Sequence, residues 1–465
     1  MMLRFLLIFL LCTVNAYALP VFPGAEGFGT NTSGGRGGIV CQVTNLNDEG
    51  AGSLRACIEE AGPRLIIFRQ GGTIRLHSPL IITNPYISIF GQTASGSGIM
   101  LTGDDALSDE LLTITTHDVV IQHLRLRQSL TDKPACCHNV IGIKGVEGES
   151  DGSQVHDIVL DHCSVSGATG NAIALEYDTN TLTISNSILG PGIVTASKEA
   201  SIEGKGITID GEGSHSISLH HNLIVDSQEQ NPGLQIAKGV ADIVNNVVYN
   251  WVKKGAEIRS DNGEVQLNMV HNLYIMGPDS TPDTPEIIAS HTGKNYQLFL
   301  EENLSIRDAE QPEPLPVNLG LEGWPDNSWE ATSRFESPLV DTVKSNTVRK
   351  KLLAMVGANL PKRDFIDKNL VQQVKHYQDR LAYCSSLNPK GDKLQCDQYV
   401  SQLPDYTAGK PLADKDNDGM PDEWEKKNNL NPEQDDALQD SNINGYSNIE
   451  EWIFSLTPPP LELTL

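Results

Sequence analysis

The chain has 465 residues, which is enough for two or three ordinary domains or for one long repetitive domain. A hydrophobic fraction of 39% and 41 glycines favour short strands and turns over long helices. The formal net charge of −26 argues against nucleic acid as a partner, because phosphate binding needs clustered lysine and arginine. An anionic ligand would be repelled unless local cations or a metal ion intervened.

The first 18 residues, MMLRFLLIFLLCTVNAYA, have the organisation of a secretory signal peptide. Arg4 supplies the positive start, residues 5–11 supply an apolar core, and Ala16-Tyr17-Ala18 fits a small-residue cleavage site. The apolar run is too short to span a bilayer. We therefore expect a secreted protein, extracellular or periplasmic, with no membrane span.

Seven of the eight cysteines lie beyond this segment, and an oxidising compartment favours disulfides among them. The pairs that are close in sequence are Cys41 with Cys57 and Cys384 with Cys396. The adjacent cysteines at 136–137 favour a local crosslink or a buried thiol over a metal site, because no Cys/His cluster at zinc spacing surrounds them. An odd count leaves at least one cysteine unpaired within the chain.

Residues 52–62, GSLRACIEEAG, predict a short amphipathic helix. Ser53 can cap its start, Gly62 can stop it, and Leu54, Cys57 and Ile58 form one apolar face. Such a helix is suited to cover the N-terminal end of a repetitive fold.

Between residues 64 and 306, short segments such as DIVLDHCSVSG, SISLHHNLIV and DIVNNVVYNW recur. Each alternates apolar and polar residues, as a strand with one buried face does, and then bends at a small or amide residue. The bend residues are separated by 23, 36, 24, 26 and 31 residues, and they are Cys163, Asn186, Asn222, Asn246, Asn272 and Asn303. This period predicts an all-β solenoid, a parallel β-helix, with stacked asparagines at the bend. A β-sandwich is the alternative, but it would show more two-residue hairpin turns.

After about residue 307 the pattern changes to a proline-rich, acidic stretch. The segment SNTVRKKLLAMVGANL then predicts a helix, and a charged run continues to about residue 410. We expect residues 307–410 to pack along the solenoid of residues 19–306 or to cover its far end.

The segment DKDNDGMPDEWE matches a calcium-binding loop in which alternate residues point oxygens inward. Its expected ligands, at positions one, three, five, seven and twelve, are Asp414, Asp416, Asp418, Met420 (through its carbonyl) and Glu425. DSNINGYSNIEE, 26 residues later (440 minus 414), has fewer carboxylates, and its expected ligands are Asp440, Asn442, Asn444 and Glu451. Residues 411–465 thus predict a paired calcium module of EF-hand-like or thrombospondin type 3-like loops, and a solvated acidic tail is the alternative.

The block VFPGAEGFGTNTSGGRGGIVCQVTNLNDEGAGSLRACIEEAGPRLIIF, with the later stretches NPYISIFGQTASGSGIMLTG, DIVLDHCSVS, SLHHNL and IVNNVVYNW, resembles the bacterial pectate lyases of polysaccharide lyase family 1. The resemblance implies a right-handed parallel β-helix with a binding cleft on one face. It also implies β-elimination on a uronic-acid polysaccharide, in which Ca²⁺ acidifies the C5 proton and an arginine in a pattern like Arg-x-Pro-x-x-Arg removes it.

The resemblance breaks at the residues that this chemistry needs. Pro232 matches the proline of the pattern, which places Gln230 at the base position and Gln235 at the second arginine. Glutamine does not accept a proton at useful pH. Where the family has metal-binding acids, this chain has Gly-Asn at 170–171 and Asn139.

Lys205 and Arg259 match substrate-facing residues of the family, so with Gln230 they are the catalytic candidates. The substrate-binding candidates, expected on the same cleft wall, are His220, His221, Asn231, Gln235, Lys253 and Lys254. Each also has a plain structural interpretation as a bend residue or a surface charge.

Two functions remain open at this point. One is a secreted, calcium-dependent lyase that cleaves pectate or a related uronan by β-elimination, with Lys205 or a cleft histidine as the base. The other is a non-catalytic glycan-binding β-helix. Either would act as a monomer on an acidic or pectin-like polysaccharide, and neither involves nucleic acid.

Overall fold

The computed structural model describes residues 19–104, 107, 109–128, 137–148, 153–196, 201–211, 214–236, 238–260, 264–281, 283–291, 296–322, 329–378, 403 and 406–457. The predicted signal peptide, 1–18, and the predicted Cys384–Cys396 pair lie outside these residues.

Three large sheets run the length of the molecule, and the chain visits them in the same order in each successive coil. Sheet 1 has ten strands: β1 Ile39–Val43, β2 Arg64–Phe68, β5 Ile87–Phe90, β8 Val119–Gln122, β11 His156–Asp161, β14 Asn180–Ser185, β19 His215–His220, β22 Lys238–Val244, β25 Glu264–Val270 and β28 Tyr296–Glu301. Sheet 2 also has ten: β3 Gly72–Leu76, β6 Ile99–Gly103, β9 Arg125–Arg127, β12 Ser164–Ser166, β15 Ile188–Leu189, β20 Leu223–Val225, β23 Val247–Tyr249, β26 Leu273–Ile275, β29 Leu304–Ile306 and β30 Leu315–Pro316. Sheet 3 has nine: β4 Leu80–Ile82, β7 Leu112–Ile114, β10 Ile141–Lys144, β13 Asn171–Glu176, β18 Lys205–Gly211, β21 Gly233–Ile236, β24 Ala256–Ser260, β27 Ile287–His291 and β31 Leu319–Glu322. A small hairpin adds β16 Val194–Ala196 and β17 Ser201–Glu203.

This arrangement confirms the right-handed parallel β-helix predicted above. Pairing between neighbouring coils is parallel, apart from the last pair of sheet 2, β29 with β30. Inward side chains stack in register from coil to coil, as in the buried series Ile158, Leu182, Ile217, Ala241, Leu267 and Leu298 of sheet 1. The sheets continue to Glu322, beyond the predicted end of the solenoid at residue 306.

The bend between sheets 1 and 2 combines a left-handed residue with a ladder residue. The left-handed residues, with φ between 43° and 56°, are His162, Asn186, His221, Asn245, His271 and Glu302. The ladder residue comes next in the chain. Its backbone N–H donates to the side-chain oxygen of the ladder residue in the next coil, as from Asn222 to Asn246 at 3.0 Å and from Asn246 to Asn272 at 2.9 Å. The predicted asparagine ladder is confirmed at four positions, but the prediction that Asn186 belongs to it was wrong. Ser187 occupies that position of the ladder, and its hydroxyl accepts from the Cys163 N–H.

Replacing Asn246 with alanine should lower the free energy of unfolding by about 3 kcal/mol, because it leaves two buried backbone groups of the preceding coil without this partner and removes a side-chain hydrogen bond to Asn272. Its side chain accepts from the Asn222 N–H and donates to the Leu219 carbonyl at 2.8 Å. Asn47 is exposed, and Asn47→Ala is the matched control, with an expected change within about 0.5 kcal/mol. Urea unfolding of both variants measures the difference, and equal stabilities would contradict the structural role of the ladder.

The predicted N-terminal helix is present as α1, Leu54–Glu59, and the Ser53 hydroxyl accepts from the Ala56 N–H as an N-cap. The helix ends before Gly62, because the buried guanidinium of Arg64 donates hydrogen bonds to the carbonyls of Cys57 and Ile58. The predicted disulfide between Cys41 and Cys57 joins α1 to β1. Cys137 is also disulfide-bonded, and Cys163 is a buried free thiol.

The described helices that follow the solenoid pack on two of its outer faces. Helices α2 Ser345–Met355 and α3 Phe365–His376 cover sheet 2 through an apolar cluster that includes Val225, Leu352 and Leu370. Helices α4 Asp422–Lys427 and α5 Asn448–Ser455 cover the first strands of sheet 1. Of the helices described, none has both the length and the apolarity needed to cross a membrane.

Candidate functional site

The outer face of sheet 3 carries a row of polar and charged side chains in register. Because strand residues alternate, the row lies opposite a buried apolar series that includes Ile143, Leu175 and Ile209. The outward residues of five successive strands are Lys144, Glu176, Asp210, Gln235 and Arg259. Neighbouring coils are about 4.8 Å apart, so this face offers a polar group at each step along the axis.

A chain of amides crosses the same face near the strand starts. The Asn139 side-chain oxygen accepts from the Asn171 side chain at 2.9 Å, and the Thr208 hydroxyl contacts the side-chain oxygens of Asn171 and Gln230 at 2.5 and 2.7 Å. A hydroxyl has one proton, so one of these two amides must present its NH₂ group instead. The structure therefore brings together the neutral residues that the sequence places at one site.

Lys144 is held between two carboxylates at the edge of this amide chain. Its Nζ lies 2.8 Å from Glu110 and 3.5 Å from Glu176, and Asn139 donates to both acids at 3.1 Å. Burial alone would lower the pKa of Lys144, but the hydrogen bond and charge of Glu110, with those of Glu176, raise it, so the amine is charged. Sequence reasoning missed Glu110 and Lys144, because neither stands in a motif and only the register unites them.

The catalytic candidates Lys205 and Arg259 both lie on sheet 3 and both face carboxylates. The backbone N–H of Lys205 donates to the Gly170 carbonyl, and the Lys205 Nζ lies 3.7 Å from Glu229. Arg259 donates to Glu257 at 2.8 Å.

Lys254 also donates to Glu257, at 2.7 Å, and these partners outweigh burial to lower the pKa of Glu257. Lys253, the neighbouring substrate-binding candidate, is exposed at the turn before β24. The cations predicted at the cleft therefore stand at its surface, each of Lys205, Lys254 and Arg259 beside an acid.

Two groups of substrate-binding candidates are not where the sequence suggested. Asn231 is 1% exposed and donates to the Lys254 carbonyl, so its side chain is inside the turn and does not reach a ligand. His220 ends β19 of sheet 1, His221 is the bend residue that follows, and both line a separate cavity of about 340 Å³. Burial lowers the pKa of His220 to about 4, and burial with the nearby His220 lowers that of His221 to about 3, so both imidazoles are neutral at pH 7.

The first C-terminal loop gathers carboxylates that lack hydrogen-bond partners. Both oxygens of Glu425, which is fully buried, and both of Asp416 have none, and neither has Oδ1 of Asp414. Burial and the neighbouring acids raise the pKa of Glu425 to about 7 and that of Asp418 to about 6. Carboxylates packed together without hydrogen-bond partners are costly unless a cation binds among them, and an all-oxygen donor set of this kind fits Ca²⁺.

Asp436 joins this cluster from the linker between the two loops, and the motif did not predict it. Ligand atoms of Asp418, Glu425 and Asp436 lie within 4.8 Å of one another. Met420 is fully buried, and its side chain packs in the apolar cluster beneath the loop.

In the second loop most of the side-chain acceptors already have donors. Asp440 accepts from the Asn444 and Gly445 N–H groups at 3.1 and 2.8 Å, while the Asn442 and Asn444 amides donate to Glu451. The second loop therefore has no orphaned carboxylate of the kind seen in the first, and calcium binding there stays a prediction.

No family model matches the chain. Curated relatives include the probable pectate lyase C of Aspergillus flavus, 30% identical over 444 residues, or 95% of each chain. The probable pectate lyase C of Aspergillus oryzae gives the same identity and coverage.

This chain belongs to the pectate lyase family. That confirms the predicted family, while its bacterial branch stays a prediction, because these two relatives are fungal. Similar solved structures include pectate lyase II of Xanthomonas campestris, with TM-score 0.43, 13% identity and coverage of 73% of this chain and 100% of that one. Another is a Bacillus sp. N165 pectate lyase in complex with trigalacturonate, with TM-score 0.46, 13% identity and coverage of 72% and 98%.

For a pectate lyase, Ca²⁺ is the cofactor expected in the cleft, but the described donors of sheet 3 do not fit it. Residues 170–171 offer no carboxylate, and Asn139 spends its amide on neighbouring side chains. The two acids that contact Asn139, Glu110 and Glu176, already hold the Lys144 ammonium. Beside these amides an amine thus occupies the carboxylates that a metal ion would need.

Proposed function

We propose that this pectate lyase family member is a secreted protein that binds pectate or a related uronic-acid polysaccharide on the outer face of sheet 3. We further propose that it cleaves the polymer there by β-elimination, with an atypical active site. The disulfide between Cys41 and Cys57 supports secretion, since such bonds persist in oxidising compartments.

The observation that carries this proposal is the grouping of Lys205, Gln230 and Arg259 on one open face of the family fold. Lys205 is in register with Asn171, whose amide reaches Gln230 through Thr208, and Arg259 extends from the strand next to β21. Cations beside a neutral hydrogen-bonding surface suit a polyanionic sugar chain. The net charge of −26 makes these local cations necessary.

In the proposed reaction, Arg259 pairs with a uronate carboxylate and Lys205, when unprotonated, removes the proton at C5. The electrons of the C5–H bond form the C4–C5 double bond, and the C4–O bond breaks. The leaving oxygen takes up a proton, and the lysine returns its own to solvent. Gln230, where the family resemblance places an arginine, contributes hydrogen bonding and takes no proton.

We propose Ca²⁺ as a structural ion of the first C-terminal loop. Its expected ligands are Asp414, Asp416, Asp418, the Met420 carbonyl and Glu425, and Asp436 is an additional candidate. The orphaned oxygens of Glu425 and Asp416 support this assignment. The second loop, with Asp440, Asn442, Asn444 and Glu451, is the weaker candidate.

A second candidate function is glycan binding without catalysis. It is favoured by the amide side chain of Gln230 and by the lysine that occupies the cleft carboxylates.

Purified protein incubated with polygalacturonate, methylated pectin and other uronans separates the two functions. Release of unsaturated product, followed by ultraviolet absorbance, supports the lyase. Calorimetric binding of an oligouronate without product supports the binding protein, and absence of both contradicts the whole proposal.

Gln230→Arg alone should raise cleavage of polygalacturonate by less than about tenfold. The arginine would restore a family feature, but the cleft would still lack the metal carboxylates that acidify the C5 proton. Initial rates with and without Ca²⁺, measured beside the wild-type protein, test this. Calcium-dependent cleavage at least a hundredfold faster in the variant would show that the missing acids are not limiting.

A further inference from the structure

A cavity of about 340 Å³ lies against sheet 1, apart from the saccharide-binding face proposed on sheet 3. Strands β8, β11, β14 and β19 end beside it, and the N-terminal segment around Glu26 and helix α2 close it. Because coils stack in register, the last strand residues form one row of side chains, Gln122, Asp161, Ser185 and His220. The left-handed bend residues form a second row, His123, His162, Asn186 and His221.

At the ends of β8, β11 and β14, most of these polar groups are paired with one another. Asp161 accepts from Gln122, Ser185 and Asn186 at 2.8–3.0 Å and contacts Nδ1 of His162 at 2.8 Å. This carboxylate is therefore saturated and places a fixed negative charge near the cavity. The last pair, His220 and His221, is different.

The Nδ1 atoms of His220 and His221 face each other at 3.1 Å. The other nitrogen of His220 lies 3.4 Å from the Glu26 carbonyl, and a proton on that nitrogen would leave Nδ1 with a free lone pair. A backbone carbonyl on the remote nitrogen is the usual way in which a metal-binding histidine is oriented.

The Glu26 carboxylate completes a set of three. Its ligand atom and those of the two imidazoles lie within 4.8 Å of one another. One of its oxygens accepts from the Asp341 N–H at 3.1 Å, which holds the side chain in place. Lys351 also lines the cavity, but it lies 3.7 Å from Asp341.

We propose that Glu26, His220 and His221 bind a divalent transition-metal ion, with Zn²⁺ as the best match. Two Zn–N bonds of about 2.05 Å subtend roughly 100° when the nitrogens are 3.1 Å apart, close to tetrahedral. Two histidines and one glutamate form an open ligand set, which leaves the fourth position to water or a small ligand. Imidazole donors favour Zn²⁺ over Ca²⁺, so this site is chemically separate from the C-terminal loop.

A second histidine cluster in the same molecule provides the matched control. His117 and His156 stack at 4.7 Å, and with Asp118 they also form a three-residue group. Their Nδ1 atoms, however, contact Asp118 at 2.9 Å and Asp157 at 2.7 Å, so those nitrogens are already engaged. We expect no zinc site there.

The test uses tag-free full-length protein, stripped of metal and then titrated calorimetrically with Zn²⁺ in excess Ca²⁺, which fills the acidic loop. We expect one equivalent of Zn²⁺ in the wild-type protein and in His117→Ala. His221→Ala should weaken zinc binding at least about 100-fold and Glu26→Gln at least about 10-fold. Melting curves without zinc check that each variant is folded, and Glu26→Gln preserves side-chain shape.

Co²⁺ substitution gives an independent readout, because four-coordinate Co²⁺ with imidazole ligands absorbs strongly in visible light. We expect that spectrum in the wild-type protein and in His117→Ala, and its loss in His221→Ala. Failure of the wild-type protein to bind an equivalent of Zn²⁺, or equal binding by folded His221→Ala, would overturn the proposal. A pale six-coordinate Co²⁺ spectrum would do the same.

Discussion

Adding Ca²⁺ to the metal-free protein should raise its melting temperature by several degrees, and Glu425→Ala should abolish that rise. An ion present at about 100 times its Kd stabilises the folded state by about 2.7 kcal/mol. The Glu425 carboxylate is fully buried without a hydrogen-bond partner, so replacing it removes a calcium ligand and breaks no hydrogen bond of that carboxylate. Calorimetric melting at fixed protein concentration, with Ca²⁺ or with chelator, measures both effects.

The sign of the effect in chelator is the sharper part of this prediction. Without the ion, Glu425 is one of several crowded acids, so Glu425→Ala should melt at or above the wild-type temperature. With Ca²⁺ it should melt below it. Asp436→Ala should also lose calcium stabilisation, whereas its exposed neighbour Asp435→Ala should retain it. A calcium response that survives in Glu425→Ala would show that the ion is elsewhere.

Lys205→Met should lower the kcat for unsaturated product by about 100-fold or more, if β-elimination proceeds as proposed, because a positioned base contributes that much. Methionine keeps most of the length of the side chain but cannot accept the proton. Because Arg259 and Lys254 remain, binding of an oligouronate should weaken by less than about tenfold. Initial rates over a range of substrate concentrations separate kcat from KM.

Two further variants distinguish a base from a surface charge. Glu229→Gln removes the carboxylate that lies 3.7 Å from the Lys205 amine, so it should change kcat if that amine takes part in the reaction. Lys368→Ala, on α3 away from sheet 3, should leave both kinetic constants unchanged. Full activity of Lys205→Met would assign the base to another residue.

The repeat was predictable because local backbone geometry determines which residue types occur at each bend. Asn222, Asn246, Asn272 and Asn303 recur at coil spacing, and the structure stacks them as expected. Asn186 misled because asparagine is also favoured in the left-handed conformation, which it takes one residue before the rung. Composition alone does not distinguish those two positions.

Proximity around the solenoid was harder to predict than the fold. His220 and Gln230 are ten residues apart in sequence, yet the intervening chain passes from sheet 1 through sheet 2 to the start of sheet 3. Glu110 reaches Asn139 from a preceding coil, and Asp436 reaches Glu425 from outside its motif. These contacts depend on register and on docked segments that the residue pattern does not reveal.

Residues 414–453 close the beginning of the solenoid. Arg69 pairs with Asp414 and Arg36 with Glu450, and Met420, Ile449 and Ile453 cover apolar side chains of β2 and β5. Solenoids ordinarily gain stability coil by coil, so their first coils can form before the rest of the chain exists. Here the first coils acquire their cover only when residues 414–453 arrive, and synthesis from the N-terminus delivers those residues after the solenoid. The first coils thereby stay uncovered until synthesis has passed residue 453.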